Sequence, residues 1–351
     1  MNMVNPEMIV LGRELLGFTQ EDLANALSLT QATVSRYESG LIPVPEEHVQ
    51  AIASFLGRPE SFLRWQERLY SASCMYHRRN RNLSVSELRL IHAKVNLLRI
   101  QTSRLLLKTK VTSAYSFHRL SAIKHGGPEG CAQRLRQLWQ LPTGPVRHVC
   151  RTIESARGVV FRCPFGMTRV DGISQWPLDA PEMPPVFFVH EEIPGDRQRM
   201  TLCHEIGHVV MHHTPTDDDP EDEANRFAAE FLMPAAEIGP DLHSMTLAKA
   251  VALKQYWKVS MQAIIVRAHD LRQITDNQYQ YLFRQLSAKG YRKCEPAPIP
   301  AEEPDMFREL LNFHRKFTGR NIGELGEYVG ELEANFRERY ANNFSNFRLV
   351  S

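Results

Sequence analysis

The chain has no C-x-x-C pair, no long apolar run and no lysine before residue 94. Its six cysteines, Cys74, Cys131, Cys150, Cys163, Cys203 and Cys294, are scattered, which fits neither a disulfide framework nor a thiolate zinc site. No stretch approaches the ~18 consecutive apolar residues of a membrane span, and Met1 to Leu16 lacks a basic segment followed by an apolar core. A cytoplasmic address without membrane contact is therefore expected. Charge of one sign is also locally scarce. Met1 to Ser73 carries 5 Arg, no Lys and 9 acids (net −4), whereas His77 to Arg151 carries 15 Lys and Arg against only Glu87 and Glu129 (net +13). Such a basic block suggests a polyanionic or acidic partner. At 351 residues and 43% hydrophobic content, the chain is long enough for two or three domains of ~100–200 residues.

In the first seventy residues, Ile9, Leu11, Leu15 and Leu16 suggest a helix closed by Gly17. Thr19 caps a second, Gln20 to Leu27, with Asp22 as its capping partner. After a break at Ser28-Leu29, Thr30 caps a third, Gln31 to Glu38, and a fourth runs from about Pro45 to Leu56 with Gly57 after it. Two short helices joined by a tight turn make a helix-turn-helix. The segments Phe18-Thr-Gln-Glu-Asp-Leu-Ala-Asn-Ala-Leu and Thr33-Val-Ser-Arg-Tyr-Glu-Ser-Gly40 resemble the Xre/Cro-type repressor domain across about sixty residues. That resemblance implies DNA as a partner, with Gln31, Ala32, Thr33 and Arg36 presented to the major groove and Gln20 near a phosphate. Ser28 stands where glycine is usual, in a turn that calls for positive φ. The acidic balance leaves a protein-binding bundle as the competing reading, unless the basic block from Arg78 supplies the missing cations.

Ser84 caps a long helix reaching about Thr109, striped by Leu88, Ile91, Val95, Leu98, Leu105 and Leu106. Pro128 to Leu141 is a second helical run. A solvated connector and a nucleic-acid-tracking segment are both open for this region. Beyond Pro142 the pattern mixes: Val146 to Ala156 reads as a helix, and Gly158 to Arg162, Gly172 to Trp176 and Pro185 to His190 read as strands. The expected fold class is α+β, predominantly helical.

His204-Glu-Ile-Gly-His208 is an H-E-x-x-H core inside an apolar helical run. In a helix of ~3.6 residues per turn the two histidines lie about 40° apart around the axis and can share one metal ion. Glu205 points beside them, free to take a proton from an activated water. Asp219-Pro220 opens the next helix and puts Glu221 on a face with Ala224, Asn225, Ala228 and Phe231, which makes Glu221 the first choice of third ligand and Glu223, on another face, the second. Asn225 is placed to orient a ligand histidine. Two histidines and one glutamate leave a coordination position open, as catalysis requires and a structural zinc site does not. His212 and His213 read as packing or rim residues, and Asp217 to Asp219 as an acidic loop with helix capping.

Gly195-Asp-Arg-Gln-Arg-Met-Thr-Leu-Cys-His-Glu-Ile-Gly-His208, with Glu221-x-x-Ala-Asn-x-Phe-Ala-Ala-Glu-Phe-Leu-Met-Pro234, resembles the ImmA/IrrE family of zinc metallo-endopeptidases over about residues 140–295. The resemblance implies Zn2+ on His204, His208 and Glu221, with Glu205 as general base. It implies a minimal gluzincin-like fold whose Phe187–Val189 strand pairs with an extended peptide, and a protein substrate that is a transcriptional repressor of stress, mobile-element or defence genes. Cys203 and His190 depart from the usual residues at their positions; Cys203 reads first as a small buried thiol, with weakening or redox tuning of the site as the alternative. The expected division is residues 1–73 as helix-turn-helix, 74–141 as basic helical connector, 142–296 as peptidase and 297–351 as a C-terminal helical extension. In that extension the aromatics suggest packing on the peptidase or in a homodimer. The competing functions are a non-catalytic transcription factor whose metallo-domain senses a ligand or partner, and an antitoxin-like interaction protein.

Overall fold

The structure, a computed structural model, describes residues 3–70, 75–77, 84–107, 109, 115–163, 170–180, 183–213 and 219–340. It divides into two compact units. The first opens with α1 (Pro6–Leu15), α2 (Gln20–Ala26), α3 (Gln31–Glu38) and α4 (Glu46–Leu56). Each of the first three is started by a side chain that accepts an otherwise unpaired N–H: Asn5 from Glu7, Thr19 from Asp22 in a full capping box, and Thr30 from Thr33. Ser28 has φ 55°, so the turn does adopt the left-handed region that glycine favours. Met8, Ile9, Leu11, Leu23, Val34, Val49, Ile52 and Leu56 close the core.

The helix capped by Ser84, α5 (Val85–Leu106), belongs to the same unit and adds Ala93, Leu97 and Ile100 to that core. It is a packed helix, not a solvated spacer.

The second unit contains β1 (Met75–His77), α6 (Ala122–His125), α7 (Gly127–Leu138), α8 (Val149–Ser155), β2 (Val159–Cys163), β3 (Gly172–Gln175) and β4 (Val186–His190). It continues through α9 (Gly195–Met211), α10 (Pro220–Leu232), α11 (Ala235–Ile238), α12 (Leu247–Trp257), α13 (Met261–Asp270) and α14 (Asp276–Ala288). The segment read as one basic connector thus gives α5 to the first unit and α6 and α7 to the second. The last helices, α15 (Met306–Phe317), α16 (Ile322–Tyr328) and α17 (Glu333–Tyr340), return to the first unit. There the His314 imidazole lies 2.7 Å from the Leu105 carbonyl, Gln101 donates to the Val329 carbonyl at 2.8 Å, and Tyr328 lies 5.1 Å from the Arg104 guanidinium. Helix α15 thus packs on α5, and α16 and α17 pack on one another, while Phe317 at the end of α15 stays exposed.

The sheet runs β1-β3-β4-β2, with β4 parallel to β2 and antiparallel to β3. Both edges of β4 are therefore taken, and the expected pairing of Phe187–Val189 with a substrate peptide does not fit: an interior strand has no unpaired N–H and C=O row to offer. The free edges among the described strands are those of β1 and β2. Phe187 and Val189 instead join Leu202, Ile206, Val209, Val210, Phe227 and Phe231, all buried, between sheet, α9 and α10. Each such side chain contributes roughly 1.5–3 kcal/mol by leaving water.

Candidate metal centre

Helix α9 is buried along almost its whole length, and its two ends are fixed by ionic contacts and close packing. Near the N-terminus Lys254, 1% exposed, donates to Asp196 at 2.6 Å and Glu295 at 2.8 Å. One turn on, the fully buried Arg199 pairs with Glu302 and donates to the Val146 carbonyl at 2.6 Å. Farther along, Gly207 lets α10 approach: a Cβ there would sit 3.2 Å from the Ala224 Cα.

That approach brings Glu221 to the histidines. His204 Nε2 and His208 Nε2 are 3.0 Å apart, with Glu221 Oε2 3.5 Å from the first and Oε1 3.4 Å from the second. Asp219 accepts the Glu221 N–H at 3.0 Å and starts α10; Asp217 and Asp218 lie outside the described residues. A tetrahedral ion with ~2.0–2.2 Å bonds sets its ligand atoms roughly 3.3–3.6 Å apart, close to this triangle. Glu221 Oε2 is buried and has no hydrogen-bond partner among the described residues. Two imidazole nitrogens and an unsatisfied carboxylate oxygen facing one another fit a bound cation, and these residues form a group able to hold one. Glu223, the alternative ligand, is engaged elsewhere: its Oε2 lies 3.0 Å from His212 Nε2.

The charges respond to this geometry. Proximity to the two imidazoles holds the Glu221 carboxyl well below the usual range. Burial pushes His208 down to about 4, a fall that Glu221 only partly opposes. Burial also pulls on His204, but the neighbouring Glu221 and Glu205 carboxylates outweigh it and raise its pKa. Glu205, 2% exposed, is pushed up to about 7 by burial. Its Oε2 accepts from the Ser174 hydroxyl at 2.6 Å. Strand β3 comes this close because residue 172 is glycine: a Cβ would lie 2.4 Å from Thr201 Cγ2 and 3.3 Å from Glu205 Cγ.

His204, Glu205 and Asn225 border a cleft of about 400 Å³ shared with Gly172, Gln262 and Arg292. Asn225 Oδ1 stands 3.0 Å from His204 Nδ1, where sequence placed it. Three contributors escaped sequence reasoning. Ser174 comes from a distant strand, Arg292 reaches the cleft from beyond α14, and His212, buried as its packing reading has it, is also a hydrogen-bonded neighbour of His208. Cys203 is buried, and that burial pushes its thiol up, which leaves little thiolate for redox tuning.

In the first unit, Gln31 and Arg36 are exposed on α3, and Thr33 is half-buried against its cap, Thr30, at 2.9 Å. Gln20 accepts from Gln31 at 2.7 Å and donates to Glu38 at 2.8 Å. Gln20 and Gln31 border a groove of about 760 Å³ with Thr19, Ser86 and Arg89. Helix α5 thus brings a cation of the basic segment to the helix-turn-helix surface.

Fold and site together define a helix-turn-helix protein carrying a metallopeptidase-like domain. Residues 154–269 match the family described as the IrrE N-terminal-like domain, peptidase M78, and residues 11–63 match the helix-turn-helix family. No curated protein matches the chain. Among the described residues no helix is long and apolar enough to cross a membrane.

Proposed function

We propose that the chain is a cytoplasmic DNA-binding regulator fused to a zinc-dependent endopeptidase that cleaves a protein partner, with a transcriptional repressor as the substrate class the family resemblance implies. The observation that carries this reading is the convergence of His204 Nε2, His208 Nε2 and the Glu221 carboxylate, whose Oε2 has no hydrogen-bond partner among the described residues, beside the buried Glu205. His204, His208 and Glu221 would hold the ion, and Asn225 would orient His204. A zinc ion bound there supplies Lewis acidity to the scissile carbonyl and the attacking water.

Glu205 does the proton work. Ser174 occupies its Oε2, and the carboxylate takes the proton of the attacking water. Protonated Glu205 then gives that proton to the leaving amine nitrogen as the C–N bond breaks, so the enzyme returns to its starting state. In the metal-free protein burial raises the Glu205 carboxyl pKa, a shift in the direction that suits a group which both takes and returns a proton. Arg292 on the cleft wall is our candidate donor to the developing oxyanion. In the first unit, Gln31, Thr33 and Arg36 would meet base edges, and Gln20 and Arg89 the phosphates.

The test is incubation of candidate repressors with wild type and Glu205→Gln. Wild type should cleave, and the variant should lose roughly 10²–10⁴-fold in rate, the range of a general acid–base. Equal cleavage by the two proteins rules the mechanism out.

A further inference from the structure

His204 and His208 on α9 and His212, its C-cap, follow one another at four-residue steps, and the metal reading uses only the first two. His212 is buried between His208 and Glu223. Its Nδ1 lies 2.8 Å from His208 Nδ1, and its Nε2 lies 3.0 Å from Glu223 Oε2. Both ring nitrogens are thus engaged, so His212 is not a fourth ligand.

The direction of this chain can be fixed from its acidic end. A carboxylate has no proton to give, so Glu223 accepts and His212 Nε2 donates. A neutral imidazole carries one N–H, so His212 Nδ1 is left bare and can only accept. His208 Nδ1 must then donate to it. The remaining nitrogen of His208, Nε2, is left as a lone pair, and it is the atom 3.0 Å from His204 Nε2 and 3.4 Å from Glu221 Oε1.

We infer that Glu223 and His212 form a positioning relay that locks His208 into the tautomer whose Nε2 can bind a divalent metal ion. The relay does for His208 what the Asn225 amide oxygen does for His204. It also explains a buried acid on α10 that is not itself a ligand: without Glu223, His212 can turn its N–H toward His208 and force the His208 proton onto Nε2, where it blocks the ion. The inference rests on the metal-binding reading of His204, His208 and Glu221, and deepens it.

Two measurements on wild type, Glu223→Met and His212→Gln test it. Imidazole nitrogen-15 NMR of the chelator-treated protein reads the His208 tautomer, and competition with a chromophoric chelator reads zinc affinity. Wild type should carry the His208 proton on Nδ1. Glu223→Met, which keeps the volume and removes the acceptor, should populate the other tautomer and weaken zinc binding by roughly 10–100-fold, the range found for such supporting partners. His212→Gln retains a carbonyl oxygen able to accept from His208, and should stay close to wild type in both readouts. A His208 proton on Nε2 in wild type, or a tautomer and affinity unchanged in Glu223→Met, overturns the relay. If the tautomers shift as expected but no variant binds zinc, the relay's hydrogen-bond polarity stands and the metal reading falls.

Discussion

Glu205 is held in place by burial and one hydroxyl, and both can be read in its titration. In the metal-free protein it keeps its proton up to about 7, against 4.5 for an unperturbed glutamate. Between those values the folded state binds a proton that the unfolded state has lost, so this contribution is full below 4.5 and disappears as pH rises through 7. Wild type should therefore weaken relative to Glu205→Gln as pH rises across that window, measured by urea unfolding after chelation; parallel curves would refute it. At this scale His204, Glu205 and His208 were legible because one helix sets their spacing. Ser174 and the His212–Glu223 link were not, because they depend on which strand lies over α9 and which way a side chain turns.

Helix α9 is a rod anchored at one end by ions and locked at the other by close packing. Lys254 joins it to the chain beyond α14 through Asp196 and Glu295. Lys254→Met should lower stability by about 3–5 kcal/mol, because two buried carboxylates lose their counter-charge. A change below 1 kcal/mol in chemical denaturation would mean that the pairing contributes little net. Helix boundaries were readable to within a few residues where caps announce them, at Thr19, Thr30 and Ser84. Even the strained turn at Ser28 was visible from a missing glycine. Strand order was not. Nothing local in Pro185-Val-Phe-Phe-Val-His190 says that β2 and β3 flank it, so the edge offered to a peptide was misread. Apolar runs of this kind suit buried interior strands, and their two neighbours come from elsewhere in the sequence.

For the whole chain, segregation of charge was plain in the sequence, but its destination was not. The basic segment folds partly as α5 against the acidic helix-turn-helix and sets Arg89 beside Gln20 and Gln31. The C-terminal helices likewise belong to the first unit, a long-range closure that no local pattern encodes. The central claim concerns a single ion shared by α9 and α10. Elemental analysis of purified wild type and Glu221→Ala tests it most directly: stoichiometric zinc in wild type and its loss in the variant, with the fold retained by circular dichroism, is the expected result. Metal-free wild type, or zinc retained in full by Glu221→Ala, would contradict it.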